Sequence, residues 1–253
     1  DDTMTYSSAL FNSSSESLEK AQENKYKNIC KNINPKPEDH ILEIGCGWGG
    51  FMEYAIKNHN VKVTGLTISK AQHDFTKKRL FEAGLSERAK VLLTDYRNQK
   101  GQFDGIASIE MFEAVGEKYW PVYFNSLKNL MKNGAKSTLQ IITIADELFP
   151  EYRKRVDFIQ KYIFPGGMLP SKKALEKQFL QVGLKSINLK SFGSSYSKTL
   201  RLWHSSFNSV WDDIASVKFD DRFKRMWNFY LASCAAVFYS KTGDVIQVTL
   251  KKS

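Results

Sequence analysis

The sequence predicts an α/β fold, a mostly parallel sheet with helices on both faces, and three observations lead there. Short strand-like runs alternate with helical patterns through the first half of the chain. The run Ile41-Leu42-Glu43-Ile44 enters a glycine-rich turn, Gly45 to Gly50, that opens a helix. With 253 residues, 42% hydrophobic and 25% charged, the chain can bury one substantial core, and no repeat, linker or low-complexity segment divides it. One domain over 1–253 is therefore expected.

The elements follow in order. After a polar start, Leu18, Ala21, Tyr26 and Ile29 recur with charges between them, which predicts an amphipathic helix over 15–32, capped by the serines at 13 to 15 and ended by Pro35 and Pro37. Strand-like runs lie at 40–44, 61–66, 90–94, 103–109 and 138–144. Helical patterns at 51–58 and 70–83, then a loop at 95–102, separate the first four, and a helix at 119–131 precedes the fifth. From 146 to 171 a helical pattern rich in Phe, Tyr, Arg and Lys runs into a turn made by two prolines and two glycines. Runs at 184–189 and 245–250 complete seven strands, with helices at 199–215 and 220–238. The helical material at about 146–182 and 196–240 is expected to form a lid over the carboxyl ends of the strands, where open α/β sheets bind ligands.

The chain carries 37 Lys and Arg against 27 Asp and Glu, a net +10 that favours an anionic partner such as nucleic acid or acidic lipid. The clusters Lys77-Lys78-Arg79, Arg153-Lys154-Arg155 and Arg222-Phe223-Lys224-Arg225 read as solvated helix faces rather than dedicated sites. No zinc module or RNA-binding signature accompanies them, so nucleic acid is not an expected partner. Cys30, Cys46 and Cys234 form no CxxC or Cys/His cluster, so neither a disulfide framework nor a metal site is expected, and a reducing cytoplasm fits best. No apolar run approaches the roughly 20 residues that span a bilayer, and no signal-peptide core is visible at the start. Membrane contact would be peripheral, at the inner face. The chain does not begin with Met, which leaves a preceding segment open.

Gly45, Gly47 and Gly49 remove Cβ atoms where backbone must turn or approach a ligand, and Glu43 stands at the strand end beside them. The spacing Glu-x-Gly-x-Gly-x-Gly departs from the Gly-x-Gly-x-x-Gly of dinucleotide sites and points to S-adenosylmethionine, which has no pyrophosphate to cradle. A purely structural strand-turn-helix is the alternative. At the second strand end Thr67, Ile68 backbone, Ser69 and Gln72 are candidates for ribose hydroxyls. At the third, Asp95 and Tyr96 suit an adenine amino group and ring face, or else a turn cap and a core ring.

These segments, with Met4 to Phe11, Glu110-Met111-Phe112-Glu113-Ala114-Val115-Gly116, Lys161 to Ser171 and Arg222 to Leu231, resemble the cyclopropane-fatty-acyl-phospholipid synthase family, including the mycolic acid cyclopropane synthases. The resemblance covers essentially the whole chain. It implies a Rossmann-like class I S-adenosylmethionine-dependent methyltransferase fold, with an unsaturated acyl lipid as substrate and an anionic membrane surface as partner; oligomeric state is left open. In that chemistry the double bond attacks the sulfonium methyl, and the resulting cation loses a proton to close a cyclopropane or leave a methylated alkene. The family's base is taken as bicarbonate held near a Cys, a Glu, a His and a Tyr. By alignment Glu113 and Tyr230 are kept, while Ser8 stands for the Cys and Gln140 for the His; Tyr6 and Ser7 fall at the cofactor. Serine and glutamine can donate hydrogen bonds to an oxyanion but carry no positive charge. The four residues are expected to line one small polar pocket, with weakened bicarbonate dependence and a methylated product as the alternative to ring closure. N-methylation of a small amine stays open as a third enzymatic reading, since fold does not fix the acceptor.

Overall fold

A computed structural model describes residues 1–215 and 219–252. Residues 216–218 and 253, which fall inside the expected lid range 196–240 and domain range 1–253, lie outside the described residues. The elements run α1 (Leu18–Ile33), β1 (His40–Ile44), α2 (Gly50–His59), β2 (Lys62–Thr67), α3 (Lys70–Glu82), β3 (Ala89–Leu93), β4 (Phe103–Ile109), α4 (Trp120–Leu130) and β5 (Met131–Ile144). They continue with α5 (Phe149–Tyr152), α6 (Phe158–Tyr162), α7 (Lys172–Gln181), β6 (Leu184–Ser191), α8 (Gly193–Ser209), α9 (Trp211–Ile214), α10 (Asp221–Tyr239) and β7 (Gly243–Lys252).

The seven strands form one sheet in the order β3-β2-β1-β4-β5-β7-β6. Pairing is parallel from β3 through β5, and β7 runs antiparallel to both β5 and β6. The order reverses between β1 and β4. Two connections there leave the sheet in opposite directions and open a crevice at the carboxyl ends of the strands.

Two apolar layers hold the sheet. On one face Ile29, Ile33, Phe51, Met52 and Leu80 of α1, α2 and α3 pack on Ile41 and Val63. On the other, Tyr123, Phe124 and Leu127 of α4 with Leu175 and Phe179 of α7 cover Leu42, Ile106 and Leu139. A third cluster, Leu10, Tyr196, Leu200, Leu231 and Phe238, joins the N-terminal segment to α8 and α10 over Val245.

Several boundaries differ from those expected. The first helix is capped not by serines 13 to 15 but by Ser17, whose Oγ accepts from Lys20 N at 3.2 Å, and it ends at Asn34 in the left-handed conformation, ahead of the prolines. The helical pattern expected ahead of the Pro/Gly turn is not continuous. Pro150 is confined to the first turn of α5, and Asp157 and Gln160 form a reciprocal capping box that restarts the chain as α6. The helix expected over 199–215 starts earlier, at Gly193, and divides at Val210 into α8 and α9. β5 begins at Met131, directly after α4 and ahead of the expected start at 138.

Candidate functional site

At the β1–β4 crevice lies a cavity of about 540 Å³, walled by the glycine turn after β1, the loop after β4, the α5–α7 segment and one face each of α8 and α10. Gly45, Gly47 and Gly49 have φ of +81°, +51° and +85°. Amides of Gly45 and Cys46 both donate to Leu66 O, and the Gly47 carbonyl accepts from Thr76 Oγ1, so the turn is fixed from outside and bare within. A Cβ on Gly47 would meet the Tyr6 ring at 3.2 Å. Tyr6 is 58% exposed, and its hydroxyl accepts from Gln72 Nε2 at 3.1 Å.

Three carboxyls converge at this end of the cavity. Glu43 is 2% exposed with Oε2 lacking a hydrogen-bond partner, and burial raises its pKa to about 8 despite the charge on Lys25. Glu113 accepts from the Ile142 amide at 2.5 Å through Oε1, while its Oε2 is also unpartnered. Burial, then the charge on Glu110, raises it to about 8. Glu110 is different. One oxygen accepts from both the Ser8 amide and Gln140 Nε2, each at 2.8 Å, and the Tyr196 hydroxyl adds a further hydrogen bond.

Beneath them Lys25 is fully buried, donates to Ser7 Oγ at 2.6 Å, and is lowered to about 7 by burial against the pull of Glu110 and Glu43. Three carboxyls thus surround one buried amine, and a cationic ligand would draw them toward their charged forms. The remainder of the cavity is apolar, with Ile142, Ile159, Phe164, Met168, Tyr230 and Phe238 on its wall. Phe164 meets the Tyr230 ring edge to face at 6.0 Å, and the Met168 amide donates to Glu113 O at 2.8 Å, tying this segment to the carboxylate loop.

Of the residues singled out from sequence, Tyr6, Ser7, Glu43, Gly45, Gly47, Glu113 and Tyr230 line this cavity together. Ser8 and Gln140, expected beside Glu113 and Tyr230, are off the wall. Ser8 Oγ donates to Ala9 O, and Gln140 sits inside the sheet, donating to Ser8 O and Glu110 and accepting from Gln247 Nε2. Their donors hold a side chain where an open anion pocket was expected. Gly49 caps α2 behind the turn. Thr67 and Gln72 bond each other at 2.9 Å, with Ile68 80% exposed, at the carboxyl end of β2. At the next strand end Asp95, expected to face an adenine amino group, has both oxygens taken by the Arg97 guanidinium at 2.8 and 2.7 Å. Tyr96 lies edge-on to Tyr123 at 5.3 Å. Lys25, Tyr196 and the role of Glu110 were not read from sequence. Glu110 carried a signal in its place at the end of the fourth strand, while Lys25 looks like any charge on an amphipathic helix.

Residues 1–248 match a family model described as mycolic acid cyclopropane synthetase. The chain is 37% identical to the tuberculostearic acid methyltransferase of Mycobacterium tuberculosis, over 99% of this chain and 60% of that protein. It is also 37% identical to the cyclopropane-fatty-acyl-phospholipid synthase of Escherichia coli, over 100% of this chain and 63% of that one. It therefore spans about three fifths of the length of these curated relatives. Among solved structures, a cyclopropane synthase from Mycobacterium tuberculosis superposes with a TM-score of 0.92 at 29% identity, covering 100% of this chain and 91% of the other. A mycolic acid cyclopropane synthase complexed with SAH and CTAB gives 0.91 at 28%, with the same coverage.

Proposed function

Because the chain belongs to the mycolic acid cyclopropane synthetase family, we propose that it transfers a methyl group from S-adenosylmethionine to the double bond of an unsaturated fatty acyl chain, in a phospholipid, and closes a cyclopropane ring. The observation that carries this reading is a single cavity joining a glycine turn and its carboxyls to a long apolar wall. The residues fit the cofactor. Gly45 and Gly47 keep Cβ atoms out of the cavity wall, where they would meet Met111 and the Tyr6 ring, and the unpartnered Oε2 of Glu43 offers an acceptor for its polar groups. S-adenosylmethionine, when bound, supplies an electrophilic sulfonium methyl.

An alkene is a weak nucleophile, and its methylation leaves positive charge on the acyl chain. The apolar wall excludes water from that cation, and the rings of Tyr230 and Phe164 face it with π density. Glu113, with a pKa near 8, carries a proton at neutral pH and can orient neighbouring oxygens by donating a hydrogen bond. A bicarbonate ion acting as base would be received by Glu113 and Tyr230, since the Ser8 hydroxyl is turned to Ala9 O and Gln140 is committed to Glu110.

Methylation without ring closure is the second reading, favoured by those two departures and by the likeness to a protein named as a methyltransferase. We place the reaction in the cytoplasm, at an anionic membrane surface. The net charge of +10 supports this, as do exposed Phe164, Phe229 and Tyr239 on the segments around the cavity. No helix among the described residues is long and apolar enough to cross a membrane. The test is incubation with methyl-labelled S-adenosylmethionine and vesicles of unsaturated or saturated phospholipid. Lipid-extractable label should appear with the unsaturated vesicles alone, and label in neither would contradict the proposal.

A further inference from the structure

We infer that Glu110 is the resident proton acceptor of the reaction, a carboxylate built into the cavity that does the work of a base drawn from solution. This role rests on the acyl-methylation reading. Four features carry it. Glu110 holds a left-handed backbone, φ +49°, at the last turn out of β4, a conformation that favours glycine. A carboxylate kept there is held against local preference, which is common at functional sites. Its side chain reaches the cavity wall beside Glu113. One oxygen is anchored by the Ser8 amide and Gln140 Nε2, and Gln140 is in turn fixed by Gln247, so the carboxylate has a set orientation. The buried Lys25 ammonium lies near enough to favour the charged form, against burial, which raises the group above the ordinary carboxylate range. Glu113, lacking a comparable donor set, stays protonated.

The step balances. Once the π pair has formed the new C–C bond and the sulfur–methyl bond has broken, its pair staying on sulfur as a neutral thioether, the acyl chain holds a cation at the adjacent carbon. Glu110 removes a proton from the newly attached methyl, and the C–H pair becomes the ring-closing C–C bond. Removal from a neighbouring carbon instead leaves a double bond. Either way the cation and carboxylate charges cancel, and the proton remains on Glu110 until water returns with product release.

The test uses Glu110→Gly and Glu110→Gln. Glycine suits the backbone and vacates the carboxylate's place; glutamine fills it without basicity. Wild type should turn over in bicarbonate-free buffer, and both variants should slow by about 100-fold or more with cofactor affinity kept. Added formate or bicarbonate should restore Glu110→Gly but not Glu110→Gln. In the absence of any substrate, formate should raise the Tm of Glu110→Gly and leave the others unmoved. Full turnover of Glu110→Gly without added anion, or a wild type that works only with bicarbonate, would overturn the role of Glu110. A wild type giving no methylated acyl product would overturn the function and this role with it.

Discussion

Residues whose neighbours lie close in sequence were the legible ones. Glu43 and the glycines beside it follow from the strand that precedes them, and Glu113 and Tyr230 from matched motifs. The meaning of Ser8 and Gln140 was not legible, because their shared partner Glu110 is 102 positions from the first and 30 from the second. Glu113 supports two expectations. Glu113→Gln should lower turnover by about 100-fold with cofactor affinity unchanged, as expected for a group that acts in the transition state; equal turnover would remove its role. It should also change the pH dependence of stability. A carboxyl whose pKa is about 8 in the folded protein and about 4.5 unfolded keeps its proton longer when folded. Its contribution to stability is therefore complete below about 4.5 and declines as pH rises toward about 8. Tm should fall less across that window in Glu113→Gln than in wild type.

At the scale of elements, periodicity located every strand of the sheet, and β1 and β4 matched their expected bounds because each is a short, nearly continuous apolar run. The helical pattern expected from 146 up to the Pro/Gly turn is two short helices instead, since composition favours helix there while Pro150 and the Asp157 capping box divide it. The glycine turn yields a sharp expectation. In Gly47→Val a β-branched side chain would adopt φ +51° and press on the Tyr6 ring, so cofactor affinity should drop at least about 10-fold, with about 1–2 kcal/mol lost in stability. Calorimetric titration of a folded variant checks this. Lys25 belongs to α1 yet serves the strand-end carboxyls. Removing it as Lys25→Met takes the buried amine from beside Glu43 and Glu110 and leaves Ser7 Oγ without its donor, which should cost about 1–3 kcal/mol, measured by denaturant unfolding.

Over the whole molecule, the sheet order places Glu43 of β1, the glutamate-bearing loop after β4 and an apolar lining in one crevice. The surplus of basic residues predicts tighter sedimentation with anionic than with neutral vesicles at low salt. The difference should shrink as the screening length approaches about 8 Å at physiological ionic strength. Equal binding to both would exclude an electrostatic contribution. The central claim, methylene addition across an acyl double bond, is tested most directly with a trideuteromethyl donor and an unsaturated phospholipid, followed by mass and NMR analysis of the acyl group. The account predicts a cyclopropane that retains two of the three deuterons, the third having left with the proton acceptor. A product retaining all three would establish methylation without ring closure, and deuterium found only in a water-soluble amine would contradict the account outright.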